Sequence, residues 1–245
     1  MVNSVFSSSA VFYISSMKLH KGVIKQLDKY RKHCLWRRSD LNSRKPPKAS
    51  WSLVCLPKHE GGMGVIDLTA HNNALLLKFL HKFYYRMGIP WVNLIWNTYY
   101  NDGSLPGQKK KGSFWWRDIV KLLDIYKKLA SVKVADGTTA LFWTDSWNGQ
   151  ALNLAYPELY SFAKDKGSSF KKALEFPLLI QNFHLPLTIQ AHQQFQELTI
   201  SIQHLQPQGD KDIWHYSWGS LIFSISRAYK VIIGHREVHP LFLTI

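Results

Sequence analysis

Apolar side chains recur at helical spacing in four separate stretches before residue 130, and the period breaks at Ser131. That pattern demands a helical N-terminal part. In the first stretch Leu19, Val23, Leu27, Tyr30 and Cys34 step by four, four, three and four, which predicts a helix over residues 19–36 with these side chains as its buried stripe. In the second, Asp67 is suited to cap a helix whose Leu76, Phe79, Leu80 and Phe83 face inward, and Pro90 stops it. A third piece, residues 91–100, carries Trp91, Leu94, Ile95 and Thr98 on one side. The fourth is predicted to start at a Ser113 cap and run to about Ala130, with Trp116, Ile119, Val120, Leu123, Tyr126 and Leu129 in period. Large aromatics at a regular spacing mostly face a core, so Trp115, Trp116, Tyr99 and Tyr100 are read chiefly as core, with base stacking as the competing use.

Beyond Ser131 the character changes. Val132, Val134, Leu141 and Trp143 flank Asp136-Gly137, a strong hairpin signal, so a β-hairpin is predicted near residues 131–143. Residues 151–187 hold three prolines and predict short helices and loops. Ala191, Phe195, Leu198, Ile202 and Leu205 then mark a clean amphipathic helix. Residues 213–223 suit a small hairpin, and Ser224 is a cap for a last helix ending near Gly234. Trp51 to Val54 reads as a short strand. The glycine-rich run 57–64 lacks the lysine and hydroxyl of a phosphate-binding loop and reads as a tight turn. The expected fold is therefore α+β, mainly α: a basic helical region 1–130, a hairpin with an irregular segment 131–187, and a helix with further small elements 188–245.

Charge narrows the function. Residues 1–122 hold 20 Lys and Arg against 6 Asp and Glu, while residues 123–245 hold 11 against 10. A polycationic half repels itself unless an anion is near, and the one-sided placement is the electrostatic footprint of a nucleic-acid binder. The expected phosphate contacts are Lys21, Lys25, Lys29, Arg37 and Arg38 on and after the first helix. Arg44 and Lys45 in the proline-containing connector join them, as do Lys109, Lys110 and Lys111 in a loop. Lys32 lies on the same helix surface. The expected partner is RNA or DNA, bound non-specifically and with strong salt dependence.

Other chemistry is poorly served. Cys34 and Cys55 have neither disulfide-scaffold nor zinc spacing, the histidines are scattered, and there is no adjacent Asp-Asp pair, nucleophile elbow, HExxH or CxxC. Asp136 and Asp145 sit across the predicted hairpin, where a turn and a cap account for them. No catalytic residue, metal or cofactor is expected. No run of eighteen uncharged apolar residues occurs, so no membrane partner is expected. Residues 5–17 are uncharged and moderately apolar, yet no basic region precedes them, so the expected location is intracellular, nuclear or cytoplasmic.

A set of ordered motifs adds to this reading. They are Trp51-Ser-Leu-Val-Cys55-Leu-Pro-Lys58, Gly61-Gly-Met-Gly64, Asn73-Ala-Leu-Leu-Leu-Lys78, Ser113-Phe-Trp-Trp-Arg117-Asp, Asp136-Gly137, Phe142-Trp-Thr-Asp145-Ser-Trp147 and Tyr156-Pro157-Glu-Leu159. Together they resemble the region after the polymerase palm in reverse transcriptases of plant LINE-type (non-LTR) retrotransposons. Residues 13–36 look like that family's thumb-like helix. Asp212-Ile-Trp214-His-Tyr-Ser-Trp218-Gly219 resembles the opening of its zinc-binding reverse-transcriptase domain. The resemblance implies palm carboxylates ahead of residue 1 and zinc ligands after residue 245. The expectation is thus a reverse-transcriptase fragment, not itself an enzyme, that at most binds RNA, DNA or a hybrid, with an inert coding remnant as the alternative.

Overall fold

The computed structural model describes residues 11–37, 47–106, 111–147, 149–175, 179–203 and 211–234. Over these residues the fold is α+β and mainly helical, as the periodicity predicts. The first helices are α1 (Val11–Ser16), α2 (Lys21–Arg37), the single turn α3 (Trp51–Val54), α4 (Leu68–Tyr84) and α5 (Pro90–Tyr99). Next come α6 (Phe114–Val120), α7 (Leu123–Leu129), strand β1 (Ala130–Lys133), α8 (Leu152–Ala155), α9 (Pro157–Ser161) and α10 (Phe170–Leu174). The last are α11 (Ile189–Ile202), strand β2 (Ile213–Tyr216) and α12 (Ile225–Ile233). The chain divides into two compact units, one of Met1–Lys78 with Ser224–Ile245 and one of Phe79–Phe223, so the division falls within α4.

In the first unit a small core gathers Ile14, Ile24, Leu68 and Leu75, with Leu19, Leu27 and Ile225 against it. The buried Asn72 side chain donates to the carbonyls of Ile14 (2.6 Å) and Met17 (2.9 Å) and accepts from the Leu19 amide (3.0 Å). One amide group thereby satisfies the backbone between α1 and α2 from α4. The Asp67 carboxylate accepts from the Ala70 amide at 2.9 Å, the predicted cap. Ser224 caps α12 through the Arg227 amide, and the helix ends at Gly234, whose φ is +74°, again as predicted.

Two local expectations in this unit fail. The buried face of α2 is rotated from the predicted stripe: Leu19 and Leu27 pack against the core and Cys34 is half-buried, but Ile24 and Arg31 are the buried residues and Val23 is 48% and Tyr30 56% exposed. A buried arginine sets this rotation, because its guanidinium pairs with Asp28 at 2.7 Å, donates to the Ile66 carbonyl and lies over the Trp51 ring at 5.3 Å. Residues 51–54 are a helical turn capped by Ser50, not a strand. Val54 offers its carbonyl to the amides of Met63 and Val65, so the following turn folds back on it in place of a neighbouring strand. That turn spends the amides of Glu60, Gly61 and Gly62 on its own Pro57 and Lys58 carbonyls, as a tight turn should, and the Gly64 amide donates to the Leu56 carbonyl. A Cβ on Gly62 would lie 2.1 Å from the Leu56 carbonyl oxygen, which requires glycine there.

In the second unit the predicted hairpin near residues 131–143 is replaced by a longer-range pairing. Strand β1 pairs antiparallel with β2, Ala130 opposite Tyr216 and Val132 opposite Trp214. The cause is Asp212, buried just before β2. Its Oδ1 accepts from the amides of Ala135 (2.8 Å) and Gly137 (2.9 Å), and its Oδ2 accepts from the amide and hydroxyl of Thr139 (both 2.8 Å). The Asp136-Gly137 turn thus wraps around a carboxylate, and the arm after it leaves the sheet. Trp214 Nε1 donates to the Thr139 hydroxyl at 3.2 Å and completes the network. The predicted helix from Ser113 to Ala130 has its Ser113 cap but is divided into α6 and α7, with Leu122 making a tighter bond to the Ile119 carbonyl. Of the second predicted hairpin, residues 213–223, a tight turn remains in which the Tyr216 amide donates to the Ser220 carbonyl at 3.0 Å.

Of the four aromatics read chiefly as core, Trp116 and Tyr100 are buried, while Trp115 and Tyr99 are half-buried. Phe83 stacks on Trp96 with centroids 4.5 Å apart, Trp116 and Tyr100 close around it, and Tyr84, Tyr126 and Trp214 form the adjoining layer. Helix α11 buries Ala191, Leu198 and Ile202, and Phe195 meets Phe183 edge-on, so its predicted face is correct. Leu205 lies outside the described residues.

Three stability outcomes follow from this unit, and tryptophan fluorescence reads them, since eight of the ten tryptophans lie in it. Asp212→Ala strands three amides and a hydroxyl in the interior and should cost about 3 kcal/mol in urea unfolding. Asp165→Ala, which removes an exposed pair with Lys172 and an exposed bond from the Gly167 amide, should cost under about 1 kcal/mol. His81 Nδ1 lies 2.6 Å from the Tyr216 hydroxyl, and burial followed by the nearby Lys82 charge pushes its pKa down to about 4. The folded protein therefore takes up this proton less readily than the unfolded chain, whose histidine titrates near 6.5. This contribution to stability is complete above pH ~6.5, declines as the pH falls towards 4 and is flat below. Thermal midpoints measured across that range should lose this part of their slope in His81→Gln.

Candidate nucleic-acid interface

Helix α2 carries Lys21, Lys25 and Lys29 at intervals of four, so one helical face presents all three, and each is exposed. Lys32 is exposed as well, with its ammonium 5.5 Å from the Trp51 ring centroid. Arg37 stands in the last turn, where the helix dipole favours a cation. A groove of about 680 Å³ opens along this helix. Lys25, Lys29, Lys32 and Arg37 line it together with the aromatic rings of Tyr30 and Trp36.

Asp28 also borders the groove, but its carboxylate is held at 2.7 Å by the buried Arg31. Its charge is therefore answered from inside the fold, leaving the groove cationic. Ion pairs are made by Arg31, His59, Lys111, Lys121, Lys127 and Lys172, and among the described residues Lys21, Lys25 and Lys29 are in none of these. Such uncompensated cations on one rigid element repel each other and attract a polyanion.

The other predicted contacts are placed differently. Lys111 belongs to the second unit, and its ammonium donates to the Tyr99 carbonyl (3.0 Å), the Asp102 carboxylate (3.0 Å) and the Ser104 hydroxyl (2.8 Å). It ties the loop after α5. The Ser104 hydroxyl and then Lys111 hold the Asp102 carboxyl well below the usual carboxylate range. Arg38, Arg44, Lys45, Lys109 and Lys110 lie outside the described residues. Tyr30 and Trp36 are the groove residues that the sequence reading did not identify. The predicted stripe had placed Tyr30 in the core, and anchoring the helix on Ile24 and Arg31 instead turns it outward.

The acidic and thiol groups have structural partners. Asp136 accepts from the amide and hydroxyl of Thr138, and Asp145 accepts from the Leu141 amide at 2.7 Å and pairs with Lys127 at 2.7 Å. Burial pushes the Cys55 thiol up to about 11, which keeps it protonated at neutral pH. Among the described residues no group of three or more His, Cys, Asp or Glu side chains is placed to hold a metal ion. No described helix is long and apolar enough to cross a membrane.

Comparison with known proteins gives two relatives. The chain is 30% identical over 153 residues to a putative ribonuclease H protein of Arabidopsis thaliana, a match covering 60% of this chain and 24% of that protein. It is 25% identical over 140 residues to an uncharacterized mitochondrial protein of the same plant, covering 56% of this chain and 90% of that protein. The chain thus spans about a quarter of the first relative and most of the second. No family model matches the chain, and no solved structure does.

The tie at Lys111 has its own test. Lys111→Ala removes one of the interactions that hold the Asp102 carboxylate ionised, so the Asp102 titration midpoint should move up towards the ordinary carboxylate value when followed by NMR. An unmoved midpoint would leave the Ser104 hydrogen bonds as the whole cause.

Proposed function

We propose that this chain is a retrotransposon-derived polypeptide, from the region after the palm of a LINE-type reverse transcriptase, that binds RNA, DNA or a hybrid through phosphate contacts along α2. The observation that carries the proposal is the groove lined by Lys25, Lys29, Lys32 and Arg37, whose bordering carboxylate, Asp28, is already answered by Arg31. Lys21 extends the same face by one turn. A rigid row of cations neutralises phosphates without reading bases, so the binding is non-specific and driven by release of counterions.

The ordered motifs and the relatives support the origin. Two plant proteins share 25–30% identity with the chain, one of them named as a putative ribonuclease H protein. The motifs that carry the resemblance also have structural work: the Asp136-Gly137 turn closes on Asp212, and Asp145 holds the Leu141 amide. In this reading the shared residues maintain a scaffold, and the chain contributes binding without polymerase or nuclease chemistry of its own.

Salt titration tests the interface. Each phosphate contact contributes about 0.7–0.9 to the slope of log affinity against log salt concentration. Replacing Lys21, Lys25, Lys29 and Lys32 by Gln should flatten that slope by about 3 on an RNA or DNA duplex, with circular dichroism unchanged. A slope that stays the same would remove α2 as the interface.

A further inference from the structure

From the aromatic walls of the α2 groove we infer that it takes an unpaired polynucleotide strand in preference to a duplex. The inference deepens the proposed function and rests on it. Trp36 packs on one side against the Val54, Cys55 and Val65 cluster, and it also lines the groove. It is therefore a ring fixed by the core and presented to whatever enters. Tyr30 lines the same groove from the exposed side of the helix, with its hydroxyl accepting from Gln26 Nε2 at 3.1 Å.

The cations stand beside these rings. Lys29 precedes Tyr30 in the chain, Arg37 follows Trp36, and Lys32 lies between the two aromatics. Phosphate and base recognition are thereby interleaved along one helix. A duplex hides the faces of its bases in its own stack and offers such a groove only phosphates. An unpaired strand offers both phosphates and base faces, and stacking is tolerant of sequence because every base has a π face. The volume of about 680 Å³ gives room for a base to enter. An acidic peptide would meet the cations alone and leave the rings unused.

Fluorescence anisotropy on the full chain decides the matter. The probe is an end-labelled, unstructured strand of about 12 nucleotides, used alone and annealed to its complement. The unpaired strand should bind about tenfold or more tighter, and Tyr30→Ala should weaken it about five- to tenfold while leaving duplex affinity and the salt slope in place. Tyr30 is 56% exposed, so its truncation tests contact without emptying the core. Trp36→Phe, which keeps a smaller ring in the packed position, should weaken the unpaired strand by less. Equal affinities for the two probes, no effect of Tyr30→Ala, or equal competition by polyglutamate would overturn the inference. In the first two cases the salt-dependent binding of the proposed function would survive. Failure to bind either probe would overturn both.

Discussion

The second unit is organised around a charge taken out of water. An ionised carboxylate in the interior is tolerable only where hydrogen bonds replace its hydration, and Asp212 finds four, three of them from backbone amides of one turn. Those amides belong to residues 135–139 and have no ladder partner of their own, so each side solves the other's problem. Because Asp212 immediately precedes β2, the capture also fixes which segment lies beside β1. The Val132–Trp214 pairing then puts Trp214 against Tyr84 and Tyr126. A local turn, a long-range strand pair and an aromatic core thus depend on one side chain about 75 residues away from the turn it closes.

Arg31 does the corresponding work in the first unit. Burial of a guanidinium requires a carboxylate, an acceptor or an aromatic face, and this one has all three in Asp28, the Ile66 carbonyl and Trp51. With Arg31 and Ile24 inward, the helical period of 3.6 determines the remaining orientations. Lys21, Lys25, Lys29 and Tyr30 must point outward, and among the described residues these lysines are in no ion pair, while the Asp28 carboxylate bordering the groove is already held by Arg31. The cationic groove is therefore a consequence of how a single buried cation is satisfied.

This explains which parts of the fold could be read from sequence. Helix caps at Asp67, Ser113, Thr188 and Ser224 depend on atoms within three residues, and α11 has an unbroken apolar period; the three caps and the helix face that were predicted are all present. The hairpin failed because Asp136-Gly137 is a turn signal that says nothing about a competing acceptor far along the chain. Helix α2 failed in phase because a pattern count treats Tyr30 as apolar and Arg31 as polar. The burial of an arginine depends on partners at positions 51 and 66 that periodicity cannot supply. The candidate groove was accordingly half legible: its lysines follow from spacing alone, and its rings appear only after the helix is rotated.

The separation of motif from charge bears on how such a chain acts. The motif residues Gly137, Asp145, Asp212 and Trp214 are hydrogen-bonded within the fold. The exposed lysines of α2 belong to none of the motifs from Trp51 onward, yet they are held in a fixed row by the packing of Arg31. Non-specific binding asks for no more than that, since phosphates repeat along any strand and a row of cations needs only regular spacing to meet them. Specific recognition would need side chains aimed at base edges; in the proposed reading the groove offers flat rings and ammonium groups on one helix instead, which suits contact with many sequences over selection of one.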